Sequence, residues 1–166
     1  MKTLFLLRHA KAENGAAGLA DFDRGLNDRG RRESKAAGEL IKNQNHQLDL
    51  VLSSPALRAH ETTELALASA GLHSEIRFDL RIYEASVQIL LAALSEVHDP
   101  TASIMLVGHN PGLEDLMRTL TGRAEQMKPA TIANINLNID QWSSIRENTG
   151  TLDWIVKPNE KTSDQR

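Results

Sequence analysis

Two arginines and two histidines occupy positions that a fold of alternating strands and helices would bring together. Arg8 and His9 follow the apolar run Thr3 to Leu7. Arg58 follows Leu50 to Ser53 and the Ser54-Pro55 break, and His109 follows Ser103 to Val107. In an open α/β sheet the ligand crevice lies beyond the carboxyl ends of the strands, so residues directly after strands face it. Two guanidiniums can grip the oxygens of a tetrahedral dianion through paired N–H bonds, and a neutral imidazole can attack the phosphorus at its centre. Histidine's ordinary pKa of about 6.5 leaves much of it neutral near pH 7. Neighbouring cations push it lower, so no separate base is needed. Helix N-termini at Pro55 and at Asn110-Pro111 would add backbone N–H donors.

The elements that must position these residues can be read from periodicity. Thr3 to Leu7 is a short apolar run stopped by Arg8 and His9, which predicts a buried first strand. Lys11 to Gly25, rich in Gly, Ala, Asn and Asp, reads as a surface loop. Asn27 offers an N-cap to a helix through about Lys42, with Ala36, Ala37, Leu40 and Ile41 on one face. A second strand over Leu50 to Ser53 leads into a helix to about Ser69, and Ile76 to Phe78 supplies a third strand. Val87, Leu90, Leu91 and Leu94 have helical spacing, as do Leu113, Leu116, Met117 and Leu120 after the Ser103–Val107 strand. From Thr131 the β-branched residues predict two or three closing strands, at least one of them antiparallel. The expectation is an α/β three-layer sandwich with a mostly parallel central sheet flanked by helices. One domain over 1–157 and a polar, flexible tail over 158–166 complete it.

Composition narrows the function. The 166 residues are 40% hydrophobic and 25% charged, the balance of one globular domain. There is no Cys, which removes thiolate catalysis and Cys-based zinc sites. The net charge of −3 argues against nucleic acid as a partner. Through Lys35, however, eight basic residues face five acidic ones, a balance that suits an anionic ligand near the N-terminal segment. The run Leu4 to Leu7 is too short for a signal sequence and no span is apolar enough for a membrane, so a cytoplasmic protein is expected. No phosphate-loop or dinucleotide glycine motif is present. Asp21-Phe22-Asp23 follows no strand and lacks the later ligands of a calcium loop. His46, His60, His73 and His98 lack metal-ligand spacing, so no metal is expected.

Leu7-Arg8-His9-Ala10, Ser53-Ser54-Pro55-Ala56-Leu57-Arg58-Ala59 and Val107-Gly108-His109-Asn110-Pro111 together resemble the histidine phosphatase superfamily, and within it the small phosphohistidine phosphatases of the SixA type. With Leu26-Asn27-Asp28-Arg29-Gly30 the resemblance covers about residues 2 to 120. It implies a metal-independent phosphatase without cofactor, in which His9 is the transiently phosphorylated nucleophile and Arg8, Arg58 and His109 hold the phosphoryl oxygens. It also implies a carboxylate that protonates the leaving group, for which Glu84 is the candidate. Two departures stand out: Ala10 where the family often has Gly, and Asn27 where Thr is common. Ala10 is tolerated if its φ is negative, and Asn27 still caps a helix.

Asn14 and Ser53 are further candidates to touch phosphate, with turn or cap roles as their alternative. The roughly fifty residues between Arg58 and His109 are nearly used up by a helix, a strand and another helix, which leaves no length there for a lid. An open site suits phosphate carried on another protein, so phosphohistidine on a signalling protein is the expected substrate, with inorganic phosphate as product. The alternatives are a phosphatase or mutase acting on a small phosphate ester, and a catalytically silent phosphate-binding module.

Overall fold

The computed structural model describes residues 1–158 of the 166. The expected tail, apart from Pro158, lies outside the described residues. Six strands form one sheet in the order β3-β2-β4-β1-β5-β6. β1 (Lys2–Arg8), β2 (Leu50–Ser53), β3 (Glu75–Phe78) and β4 (Ser103–Gly108) are mutually parallel. β5 (Ile132–Leu137) runs antiparallel to β1, and β6 (Gly150–Val156) antiparallel to β5. The mixed sheet and its reversed strand near the C-terminus match the expected architecture.

β1 and β4 are continuous apolar runs because both of their faces are covered. Leu4, Leu6, Ile104 and Leu106 point to one core, and Phe5, Leu7, Met105 and Val107 to the other. The period of two along each strand thus feeds two helical layers. The first core is closed by α3 (Val87–Ser95) and α4 (Gly112–Thr121), whose Leu90, Leu94, Leu113, Leu116, Met117 and Leu120 occupy the predicted buried stripe. The second is closed by α1 (Asp28–Asn43) and α2 (Leu57–Ala70). These two helices cross closely: a Cβ added at Gly38 would stand 2.2 Å from the Ala66 carbonyl oxygen. None of the helices among the described residues is long and apolar enough to cross a membrane.

Local chemistry sets the ends of these elements. The Asn27 side chain accepts a hydrogen bond from the Gly30 amide at 2.8 Å and caps α1, as expected. Ser86 caps α3 in the same way, and Gly71 and Gly122 end α2 and α4 in left-handed conformation. The Lys11–Gly25 segment differs from a plain surface loop. A one-pair antiparallel bridge between Ala12 and Leu26 pinches its base, and a short 3-10 helix, Asp21–Asp23, lies at its far side. A second 3-10 helix, Leu80–Ile82, follows β3. It is fixed by buried Ile82 and by Arg81, which pairs with both Asp79 and Glu96. Tyr83 and Glu84 come directly after it.

Candidate active site

The register of the parallel strands brings the expected cluster together. Arg8 pairs with Gly108, and Ser53 with Val107, so the ends of β1, β2 and β4 lie side by side at the edge where α2 and α4 begin. The His9 amide donates to the Gly108 carbonyl at 3.0 Å, and the Ser54 amide to that of Val107, also at 3.0 Å. These bonds extend the ladder one step past each strand and set His9 beside His109. Their ring centroids are 5.0 Å apart.

Each of the four side chains is held at one end. His9 Nδ1 lies 2.8 Å from the Ala10 carbonyl oxygen, which can only accept, so the ring proton sits on Nδ1. Nε2 keeps its lone pair and makes no hydrogen bond among the described residues. Ala10 itself is fixed through its amide, which donates to Thr62 Oγ1 at 3.0 Å, and its φ is not among the positive ones, so the methyl group in place of glycine costs nothing. His109 Nε2 shares a 2.7 Å hydrogen bond with Ser54 Oγ. Arg8 donates from Nη1 to the Met127 carbonyl at 2.9 Å. Arg58, only 6% exposed, donates from Nη1 to the Asp21 carbonyl at 2.8 Å and from Nη2 to Asp21 Oδ2 at 3.0 Å. Both guanidiniums are therefore gripped at their Nη ends, and the buried Nε–H of each has no partner among the described residues. Unpaired buried donors on two cations are what an anion-binding site leaves for its ligand.

Burial and the arginine charges lower both imidazoles, opposed by the Ala10 hydrogen bond at His9 and by the Asp21 charge at His109. Burial is the largest cause pushing His9 down to about 3, with His109, Arg58 and Arg8 adding to it. His109 is pushed down to about 4, first by burial and then by Arg58. Both rings are neutral at physiological pH. The sequence pointed to the arginine charges as the cause, whereas enclosure contributes more.

The remaining expected residues divide. Glu84 is exposed and in left-handed conformation (φ 55°), and it lines a cavity of about 390 Å³ together with His109 and Asp115. Ser53 is corrected. It is fully buried, its hydroxyl donates to the Ser54 carbonyl and accepts from Thr63, and it has no proton left for a phosphoryl oxygen. Asn14 is exposed on the loop, with no hydrogen bond to the cluster. Arg24 donates from Nε and Nη2 to Asp21 Oδ1.

Two groups were missed in the sequence. Asp21 contacts Arg58, and its Oδ2 also accepts from the Tyr83 hydroxyl at 2.7 Å. The Tyr83 ring in turn meets His109 edge-on, with centroids 5.5 Å apart. Glu114 Oε2 accepts from both Asn110 Nδ2 and the Met127 amide and so braces the carbonyl that holds Arg8. The discounted Asp21-Phe22-Asp23 segment was a signal for the first. A backbone carbonyl such as that of Met127 carries none.

A sequence profile described as "Histidine phosphatase superfamily (branch 1)" matches residues 4–90. The chain belongs to the histidine phosphatase superfamily. An uncharacterised protein of Mycobacterium leprae is 30% identical over 119 residues, which are 70% of this chain and 71% of that one. Among solved structures, one assigned as phosphohistidine phosphatase SixA from Nakamurella multipartitia superposes with a TM-score of 0.82. It is 25% identical and covers 95% of this chain and 96% of that one. The protein histidine phosphatase SixA complexed with tungstate gives a TM-score of 0.80 at 27% identity, covering 94% and 97%. This histidine phosphatase is thus a phosphatase-type hydrolase with a SixA-like fold.

Proposed function

We propose that this histidine phosphatase removes phosphate from phosphohistidine on another protein through a phosphorylated His9. The observation that carries the reading is the state of His9. Its Nδ1 is committed to the Ala10 carbonyl and its Nε2 is unbonded, beside two guanidiniums with spare N–H groups. Nε2 attacks phosphorus, and the Nε2–P bond forms as the bond to the leaving nitrogen breaks. Arg8, Arg58 and His109 hold the phosphoryl oxygens and bear the charge that develops on them. Glu84, at the mouth of the cavity it shares with His109, gives its proton to the leaving imidazole. Water then attacks the phosphorus of phospho-His9 and returns a proton to Glu84 as the Nε2–P bond breaks, releasing inorganic phosphate and restoring neutral His9.

A protein-borne substrate is favoured by the short course of the chain between Arg58 and His109. α2, β3, α3 and β4 use that stretch, and no inserted helical cap covers the site from it. The similarity to a protein histidine phosphatase, SixA, also supports a protein-borne substrate, and the tungstate complexed with that protein is a tetrahedral oxyanion like phosphate. The test is a phosphate-release panel of a phosphohistidine protein, sugar phosphates and phosphoglycerates, with an alkaline detergent quench to trap the enzyme intermediate. Fastest release from the phosphohistidine protein, with an acid-labile, base-stable label that is absent in His9→Asn, is the expected result. Preference for a small ester would replace the substrate, and phosphate binding without release would make the chain a recognition module.

A further inference from the structure

We propose that Asp21 is the positioning residue of the site: it sets the Arg58 guanidinium so that its Nε edge is presented to the phosphoryl group. This inference rests on the phosphatase reading above, and none of the three strand-end blocks contains Asp21.

Asp21 grips Arg58 twice, through its backbone carbonyl to Nη1 and its carboxylate to Nη2. A guanidinium has five N–H groups in a rigid plane, so two acceptors on one edge fix the orientation of the other edge. That other edge holds the Nε–H that no residue satisfies. The carboxylate is itself held: Oδ2 also accepts from Tyr83, and Oδ1 accepts from Arg24 Nε at 3.1 Å and Nη2 at 2.9 Å. Phe22 meets the Tyr83 ring edge-on at 5.1 Å, which fastens the 3-10 turn to the segment that carries Glu84. These contacts hold the Asp21 carboxyl well below the usual carboxylate range, with the Tyr83 hydrogen bond as the largest cause, so it stays ionised and cannot serve as the proton donor. Its direct contact with the cluster is through Arg58.

A double-mutant cycle with Asp21→Ala and Arg58→Met tests this, the latter keeping bulk at a buried position. It is read as calorimetric affinity for tungstate and as kcat and KM on an aryl phosphate. With Arg58 present, Asp21→Ala should weaken tungstate and lower kcat/KM about tenfold; in Arg58→Met the same change should cost less than about twofold. Asp21→Asn, which keeps an oxygen for Arg58 without the charge, should fall between wild type and Asp21→Ala. Equal losses in both backgrounds would make Asp21 a merely structural residue, and tighter tungstate binding in Asp21→Ala would make it a competitor for Arg58. Either result overturns the proposal. Wild type that binds tungstate but releases no phosphate from any substrate would sink the phosphatase reading alone, since the affinity arm of the cycle still reports on Asp21. Failure of wild type to bind tungstate would overturn both.

Discussion

His9 donates its Nδ1 proton to the carbonyl of the very next residue, Ala10, at 2.8 Å. A bond to an adjacent carbonyl needs no third residue, and it fixes the tautomer with Nε2 unprotonated. Many catalytic histidines are oriented by a distant carboxylate, and here the backbone turn after β1 does that work. The ring therefore gains orientation without a negative charge that would repel the incoming dianion.

Removing that ring should abolish turnover and spare the fold. His9→Ala is expected to lower kcat by at least about a thousandfold, because no second nucleophile stands at the same place. Circular dichroism and a tungstate titration of the variant check that structure and anion binding remain. Activity within tenfold of wild type would remove His9 from the mechanism.

Arg58→Ala deletes a buried cation from the proposed oxyanion grip. The loss of transition-state binding should be at least about 2 kcal/mol, or about thirtyfold in kcat/KM. Steady-state kinetics on an aryl phosphate measure it, and an unchanged rate would mean that the Nε edge points away from substrate.

The two imidazoles should stay neutral far into the acid range. Their folded values, about 3 for His9 and about 4 for His109, lie below the ordinary 6.5. Between these limits the unfolded chain binds more protons than the folded one, so stability is full above about pH 6.5 and falls as the pH drops toward 4. NMR titration of the ring carbons should show no transition for either residue between pH 8 and 5. Denaturation midpoints in His9→Ala should depend less steeply on pH over that window.

Glu84→Gln should discriminate between substrates. A poor alkoxide leaving group needs the proton, so release from an alkyl phosphate should fall about a hundredfold. An imidazole leaving group protonates readily near neutrality, so the phosphohistidine rate should fall far less. Equal losses on both would show that Glu84 acts on something other than the leaving group.

Gly38→Ala probes the scaffold. Its Cβ would stand 2.2 Å from a backbone carbonyl of α2, which cannot yield as a flexible side chain would. The expected cost is about 2 kcal/mol or more, seen as a fall in Tm of about 5 °C.

The parts of this molecule with strong periodicity were legible in the sequence. The stripes Leu90/Leu94 and Leu113/Leu120 fall on α3 and α4, and Asn27 caps α1 as its type suggested. Boundaries moved by a residue or two, as at β3, which begins at Glu75 rather than Ile76. The meeting of Arg8, His9, Arg58 and His109 was legible because it depends only on strand direction. What depends on loops was not. Ser53 turned inward because the Ser54-Pro55 turn takes its hydroxyl, and Asp21 reaches Arg58 through a loop whose path no periodicity encodes. The depression of the histidine pKa values rests mainly on enclosure, which spacing in a sequence does not reveal.

The Ala12–Leu26 bridge closes the base of the loop, and the contacts of Asp21 and Phe22 with Arg58 and Tyr83 fasten its far side. Residues 13–20 are exposed between that bridge and Asp21. Insertions or deletions there would reshape the approach to the mouth while leaving the strand ends unmoved. The exposed stretch 13–20 can thus be re-tailored without disturbing Asp21 or the strand ends that carry Arg8, His9 and His109.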